Sequence, residues 1–350
     1  MNNHKLKISS FANRRNKNYF AAKEGLKKNE ETNLLTYMKR LITLYLVLFV
    51  IAHEVNAQQV GSSAEYIKAL TSQWKGERFP DGRPKIADNL LERLKKISME
   101  QAWGYLRSQK YNNQFESNWD LIMYPDQVMV GRAVTAQYMP ARPDLVDQIK
   151  QQGAKEGRSA QGGTNTWPID VLTPGDVYVA DSYGKVIDGT LIGDMLGNTI
   201  YTNSKNGVIF WGAVRDMDGL SQIEGFNVWA KGQDPSYIME MTLSTINAPV
   251  RIGRATVLPG DAVLANKYGT IFIPSHLVED LVMSSEFTML RDKFGAQRLK
   301  EKKYLSGQID SKWSDEIRND FIGWLKSLSG EELPMSREEL DTYLKNRDFY

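Results

Sequence analysis

The apolar run Val208-Ile209-Phe210-Trp211-Gly212-Ala213-Val214 constrains the fold of this chain more than any other segment. Gly207 opens it and Arg215-Asp216 closes it. Seven uncharged residues bounded in this way, rich in β-branched and aromatic side chains, predict a buried strand. Strand runs of this kind alternate with helical stretches elsewhere in the chain, so a mixed α/β domain is expected. The strand also delivers a cation and a carboxylate to its end. Asp194 stands twenty-two residues before Asp216, directly after Gly193. One guanidinium and two carboxylates at the mouth of an apolar scaffold suit a hard metal ion and an anionic substrate.

The neighbouring segments fill out the architecture. Helical spacing runs through Ser63–Leu70 and Ile86–Ile97, with a turn cluster at Phe79–Pro84 between them, and a third helix is predicted over Ser98–Gln109. The pattern changes near residue 127, where Val128–Tyr138 reads as a strand. Residues 150–166, rich in Gln, Gly, Ser and Thr, read as a mobile loop. Leu191–Thr202 reads as a helix, and Asn227–Ala230 and Val250–Val257 as further strands. Two segments echo one another. Pro174-Gly175-Asp176 and Pro259-Gly260-Asp261 each lead into an apolar strand, a Gly-containing turn and a second strand, so two hairpins are expected. Shared turn chemistry and an internal duplication both account for that echo. Residues 281–350 read as charged helices, with Trp313 and Trp324 as anchors onto the main body.

Composition then removes several chemistries. The 350 residues include no cysteine, which excludes disulfides, thiolate metal sites and cysteine nucleophiles. The histidines are His4, His53 and His276. Residues 38–57 have the layout of a secretory signal: basic Met38-Lys39-Arg40, a twelve-residue apolar stretch from Leu41 to Ala52, and small residues ending at Ala57. The apolar stretch is short against the roughly 20 residues a membrane span needs, and an uncleaved anchor is the alternative reading. Met38 is itself a plausible initiator, after a polar, Lys/Asn-rich stretch from residue 1 to 37. Residues 1–57 carry a formal charge of +6 within a chain total of +2, so a product cleaved after Ala57 would be near −4. Such a chain has no global electrostatic reason to bind nucleic acid. It would keep only His276, which disfavours Ser-His-Asp catalysis and multi-histidine zinc sites.

Against that background, Gly193-Asp194-Met195-Leu196, Gly212-Ala213-Val214-Arg215-Asp216, Pro259-Gly260-Asp261 and the strand phrase Gly131-Arg132-Ala133-Val134-Thr135 resemble the regulator-of-ribonuclease-activity-A (RraA) family. That family includes the class II 4-hydroxy-4-methyl-2-oxoglutarate aldolases, and the resemblance covers about residues 85–280. Asp194, twenty intervening residues, then Arg215-Asp216 is similar to the aldolase signature. The non-catalytic ribonuclease regulators tend to carry Gly at the first position and an acid three residues after the last, where this chain has Asp194 and Gly219. Some members carry a demethylmenaquinone methyltransferase name, but no Gly-rich methyl-donor motif occurs here on a strand–helix unit.

The resemblance implies a compact α/β fold with a mixed central sheet flanked by helices, extended here by N- and C-terminal helical segments. The domain boundaries read as a leader at 1–57, a helical segment at 58–115, the RraA-like core at 116–280 and a helical extension at 281–350. The resemblance implies that Asp216 coordinates a divalent cation, Mg²⁺ or Mn²⁺, and that Asp194 holds or orients a water at the ion. Arg215 would grip a 2-keto acid's carboxylate through its planar fork, aided by the backbone N–H groups of Gly193, Asp194, Met195 and Leu196 at a helix start. The implied reaction is C–C cleavage of a 4-hydroxy-2-keto acid with release of pyruvate, and oxaloacetate decarboxylation is the natural side activity. A homotrimer or higher multiple follows from the same resemblance. The export signal predicts a periplasmic or secreted protein with no stable membrane span after cleavage.

Plainer readings stand beside these. Asp194 also reads as a helix N-cap, and Arg215-Asp216 as a surface ion pair. Asp176 and Asp261 read as turn residues and His276 as a helix-start residue. The rival functional reading is a secreted, non-catalytic binding or regulatory protein on the same scaffold.

Overall fold

The computed structural model describes residues 35–44 and 59–346. The chain divides into two units, residues 1–58 and 59–350. Of the first, residues 35–44 form a helix. They include the basic start of the proposed export signal, whereas the apolar stretch beyond residue 44 and the cleavage site at Ala57 lie outside the described residues. Among the described residues, no helix is long and apolar enough to cross a membrane.

The second unit is built on one mixed sheet. Its strands are β1 (Phe115–Glu116), β2 (Leu121–Ile122), β3 (Met129–Pro140), β4 (Asp176–Asp181), β5 (Val208–Val214), β6 (Val228–Gln233), β7 (Met241–Ile246), β10 (Ala262–Asn266) and β11 (Gly269–Ile273), while β8 (Val250–Ile252) and β9 (Ala255–Val257) form a separate hairpin. The order is β1-β11-β10-β3-β4-β5-β6-β2. The centre, β3-β4-β5-β6, is parallel, and the flanking pairs are antiparallel. The long β3 pairs with β10 through its first half and with β7 through its second, with a register shift between Gln137 and Tyr138.

Alternation sorts the central strands onto two faces. Tyr178, Ala180, Val208 and Phe210 face one layer, where Ile149, Ile200, Leu220 and Phe226 cover them from helices and loops. Val177, Val179, Ile209 and Trp229 face the other, under the β8–β9 hairpin. All six residues of β4 are buried, as expected for a parallel strand covered on both sides. Helices Asp88–Leu94 and Met99–Ser108 pack with the start of the long helix Val278–Lys300 against Leu264, Ile271 and Ile273. A further cluster around Phe294, Trp313, Phe321 and Trp324 holds the C-terminal helices together.

Several sequence expectations need correction. The Pro174 segment forms no hairpin: β4 runs parallel between β3 and β5, and residues 185–187 are not a strand. The Pro259 segment does form one, with Asn266 opposite Gly269. What the two share is the turn, in which Asp176 accepts from the Thr173 amide (2.8 Å) and Asp261 from the Leu258 amide (2.8 Å). Asp176 does more than shape a turn. It receives both terminal nitrogens of the buried Arg83 at 2.8 and 3.1 Å, tying the Phe79–Pro84 turn to the sheet. Residues 150–155 are not loop, because helix Pro143–Lys155 runs through them. Its Gly153 packs under Trp167, so a weak helix former there serves a close contact. Strand β7, absent from the reading of the sequence, pairs with the far half of β3. Trp313 and Trp324 anchor the tail on Phe294 and Phe321 rather than on the sheet.

Candidate active site

The site forms where the parallel strands end. Beyond β5, the chain segment Thr190–Gly193 lies alongside the strand's last residues. Thr190 bridges to Ala213, Leu191 N donates to Ala213 O (3.0 Å) and Arg215 N donates to Ile192 O (3.0 Å). This pairing sets Gly193 beside Arg215 and Asp216. The helix Asp194–Ser204 starts at that point with Gly193 as its N-cap. The sequence placed the helix start at Leu191; the pairing of Leu191 and Ile192 with β5 delays it by three residues. Asp194 is therefore the first helical residue and not the cap.

Asp216 adopts a left-handed backbone conformation (φ 56°, ψ 45°) and starts a four-residue helix, Met217–Leu220. Asp tolerates that region better than most residues, though it still carries a cost. The turn redirects the chain so that Gly219 passes beneath Asp194. A Cβ on Gly219 would lie 2.6 Å from Asp194 Cβ and 2.7 Å from one of its carboxylate oxygens. A Cβ on Gly193 would overlap a carboxylate oxygen of Asp216 and lie 3.2 Å from Arg215 Nε. Two glycines thus leave room for these charged side chains, Gly193 for Arg215 and Asp216 and Gly219 for Asp194. Arg215 Nη1 stands 3.5 Å from Asp216 Oδ2, with the two side chains 42% and 39% exposed, so the pair is reachable from solvent.

Of the predicted backbone donors, the Met195 amide is taken by Asp194's own Oδ1 at 2.8 Å; beyond them, the Gly197 amide closes the first helical turn on Gly193 O (2.9 Å). Met195 is 75% exposed and Leu196 half-buried. One feature escaped the sequence. The Asp188 amide donates to Ser236 Oγ (2.7 Å) and Thr190 Oγ1 donates to Ser236 O (2.6 Å), bracing the segment that carries Gly193 against the loop after β6. Contacts between loops leave no periodic signal. His276 sits apart, at a short helical turn with Tyr111 Oη 3.3 Å from its Nε2, and burial holds its pKa below the usual value.

Among the described residues, no group of three or more His, Asp or Glu side chains is gathered as a metal cluster. The donor set at this mouth is two carboxylates beside a guanidinium. It fits a hard divalent ion that keeps several waters and takes only one or two carboxylates. It does not fit a dehydrating multi-histidine cage.

The class defined by this geometry is an α/β scaffold that carries two carboxylates and a guanidinium just beyond the carboxyl end of a parallel strand. The family profile described as "RraA-like: Aldolase/RraA" matches residues 84–272, more than half of the chain, and the chain belongs to that family. Relatives named "Putative 4-hydroxy-4-methyl-2-oxoglutarate aldolase" include one from Stutzerimonas stutzeri (strain A1501), 31% identical over 157 residues, covering 41% of this chain and 96% of the relative. Another, from Hahella chejuensis (strain KCTC 2396), is 33% identical over 156 residues, covering 41% and 94%. Streptomyces coelicolor RraAS2, described as an unusual member of the RNase ES inhibitor RraA protein family, shares the fold with a TM-score of 0.52 at 24% identity, over 61% of this chain and all of that one.

Proposed function

We propose that this chain is a divalent-metal-dependent lyase that cleaves a 4-hydroxy-2-keto acid of the 4-hydroxy-4-methyl-2-oxoglutarate type and releases pyruvate. The observation that carries the reading is the solvent-reachable Arg215–Asp216 pair packed on Gly193, the residue that precedes Asp194, with Asp194 in turn packed on Gly219. Relatives named as aldolases support it.

Asp216 would hold the cation, Mg²⁺ or Mn²⁺. When bound there, such an ion supplies Lewis-acid polarisation of the substrate's keto oxygen. The remaining roles fall to the chain's own residues. Arg215 grips the substrate carboxylate with two parallel N–H donors and faces the charge that builds up as the bond breaks. Asp194 orients a water that takes the proton of the C4 hydroxyl. The C3–C4 bond then breaks, its electron pair passes into the pyruvate enolate and C4 leaves as a carbonyl. The same water returns the proton to C3. Decarboxylation of oxaloacetate passes through the same enolate, so it belongs to the proposal as a side activity. We extend the proposal to an exported homotrimer or higher multiple, on the strength of the signal pattern at residues 38–57 and of the family.

The test is pyruvate release by the purified chain from several 4-hydroxy-2-keto acids and oxaloacetate, with and without Mg²⁺ or Mn²⁺. Failure on all of them would favour the rival, a non-catalytic binding protein.

A further inference from the structure

A second candidate site lies at the far edge of the sheet. A groove of about 550 Å³ opens there, lined by Glu100, Trp103, Arg107, Phe115, Arg254 and Tyr268 among others. Its edge strand β1 is five strands away from β5 along the sheet order, or roughly 24 Å at the usual strand spacing. It therefore shares no residue with the Asp216 mouth.

Four elements build it. Helix Met99–Ser108 buries Met99, Ala102 and Leu106 against the sheet. Its helical spacing turns Glu100, Trp103 and Arg107 to the outer face. Phe115 comes from β1, Arg254 from the turn between β8 and β9, and Tyr268 from the turn between β10 and β11. Trp103 and Tyr268 are 43% and 57% exposed, a large aromatic area to leave facing water.

Both guanidiniums are pre-oriented. Arg107 stacks over Trp103, with Cζ 4.7 Å from the ring centroid. Arg254 lies over Phe115 at 5.6 Å, with its Nε donating to Phe115 O (2.9 Å). Arg254 commits its Nε–H to that carbonyl and keeps its Nη donors, as Arg107 keeps its own, to meet a carboxylate. Among the described residues, neither Arg107 nor Arg254 lies in an ion pair. Glu100 is the one carboxylate in the lining, so two cations face one anion.

We propose that this groove binds a carboxylate carried on a ring, the chemistry shared by uronate sugars and aromatic acids. The two guanidiniums take the carboxylate, and Trp103 and Tyr268 offer the faces on which the ring stacks. A bare anion would leave those aromatic walls uncovered. The volume lies in the range of small-ligand pockets.

The experiment is isothermal titration of the purified full-length chain with galacturonate, benzoate and acetate. Galacturonate or benzoate, or both, should bind with Kd on the order of 1 mM or tighter, and acetate at least roughly tenfold more weakly for want of a ring to stack. The tighter of the two ring acids identifies the source as sugar or aromatic. Arg254→Gln and Trp103→Ala should each weaken ring-acid binding by roughly tenfold or more while melting as wild type does, because both side chains are solvent-facing. Three results would overturn the proposal: no ring acid bound, acetate bound as tightly as the ring acids, or binding unchanged in both variants. Pyruvate release plays no part in the readout, so the outcome is separable from that of the Asp216 site.

Discussion

Gly193→Ala tests the geometry of the site without removing any functional group. Gly193 has φ −119° and ψ −166°, an extended conformation open to alanine, so the backbone carries no penalty. The new methyl would overlap an Asp216 carboxylate oxygen and sit 3.2 Å from both Asp216 Cγ and Arg215 Nε. Carbon atoms pack best at roughly 3.5–4.0 Å, so the Asp216 carboxyl carbon must retreat by about 0.5 Å and its oxygen by about 1 Å. Both neighbours are ends of side chains about 40% exposed, so they can swing into solvent and the fold is little disturbed. The chemistry has no such latitude. A misplacement of about 1 Å costs on the order of 10²-fold in rate, about 2.7 kcal/mol of transition-state stabilisation. Arg215→Lys should lose a similar amount, roughly 2–4 kcal/mol, by keeping the charge without the fork. The assay is kcat/KM for pyruvate release, with thermal melting alongside. A Gly193→Ala enzyme that melts like wild type and turns over at the wild-type rate would refute the reasoning.

Three further outcomes follow from particular contacts. Asp176→Ala strands the buried Arg83 guanidinium, leaving only Asp81 beside it, and should cost roughly 3–5 kcal/mol of stability in urea unfolding; a loss under about 1 kcal/mol would show that the pair is dispensable. Burial pushes the Asp261 carboxyl up to about 7, from an ordinary value of 3.8, against the opposing pull of the Leu258 and Ser275 amides. A raised folded-state value means its contribution to stability is fully present below pH 3.8 and is lost as pH rises through about 7. Asp261→Asn should therefore gain in melting temperature on wild type between about pH 4 and 7, and a constant difference across that window would count against the assignment. N-terminal sequencing of the exported protein should read from Gln58, and an intact Met38 in that material would rule out cleavage.

The parts of the fold that rest on local pattern were legible in the sequence. Val208–Val214 has the continuous apolar signature of a two-face-buried strand, and the helix expected over Ser98–Gln109 is present as Met99–Ser108. Strand β7 was missed because Met241–Ile246 mixes Met, Thr, Leu and Ser, with burial decided by β3 rather than by its own alternation. The first expected hairpin failed for a related reason. The Pro-Gly-Asp turn is a local device that serves a parallel strand as readily as a hairpin. In the site, charge and spacing pointed to Asp194, Arg215 and Asp216. The roles of Gly193 and Gly219 as spacers and of Ser236 as a brace required three-dimensional proximity, which no run of residues encodes.

The most direct test of the central claim is pyruvate release from 4-hydroxy-4-methyl-2-oxoglutarate by the purified chain, measured with Mg²⁺, after chelation, and in Asp216→Ala with Mg²⁺ restored. Turnover is expected in the first condition, loss in the second that added metal reverses, and loss in the third that it does not. Full activity after chelation, or an Asp216→Ala enzyme that turns over normally with metal, would contradict it.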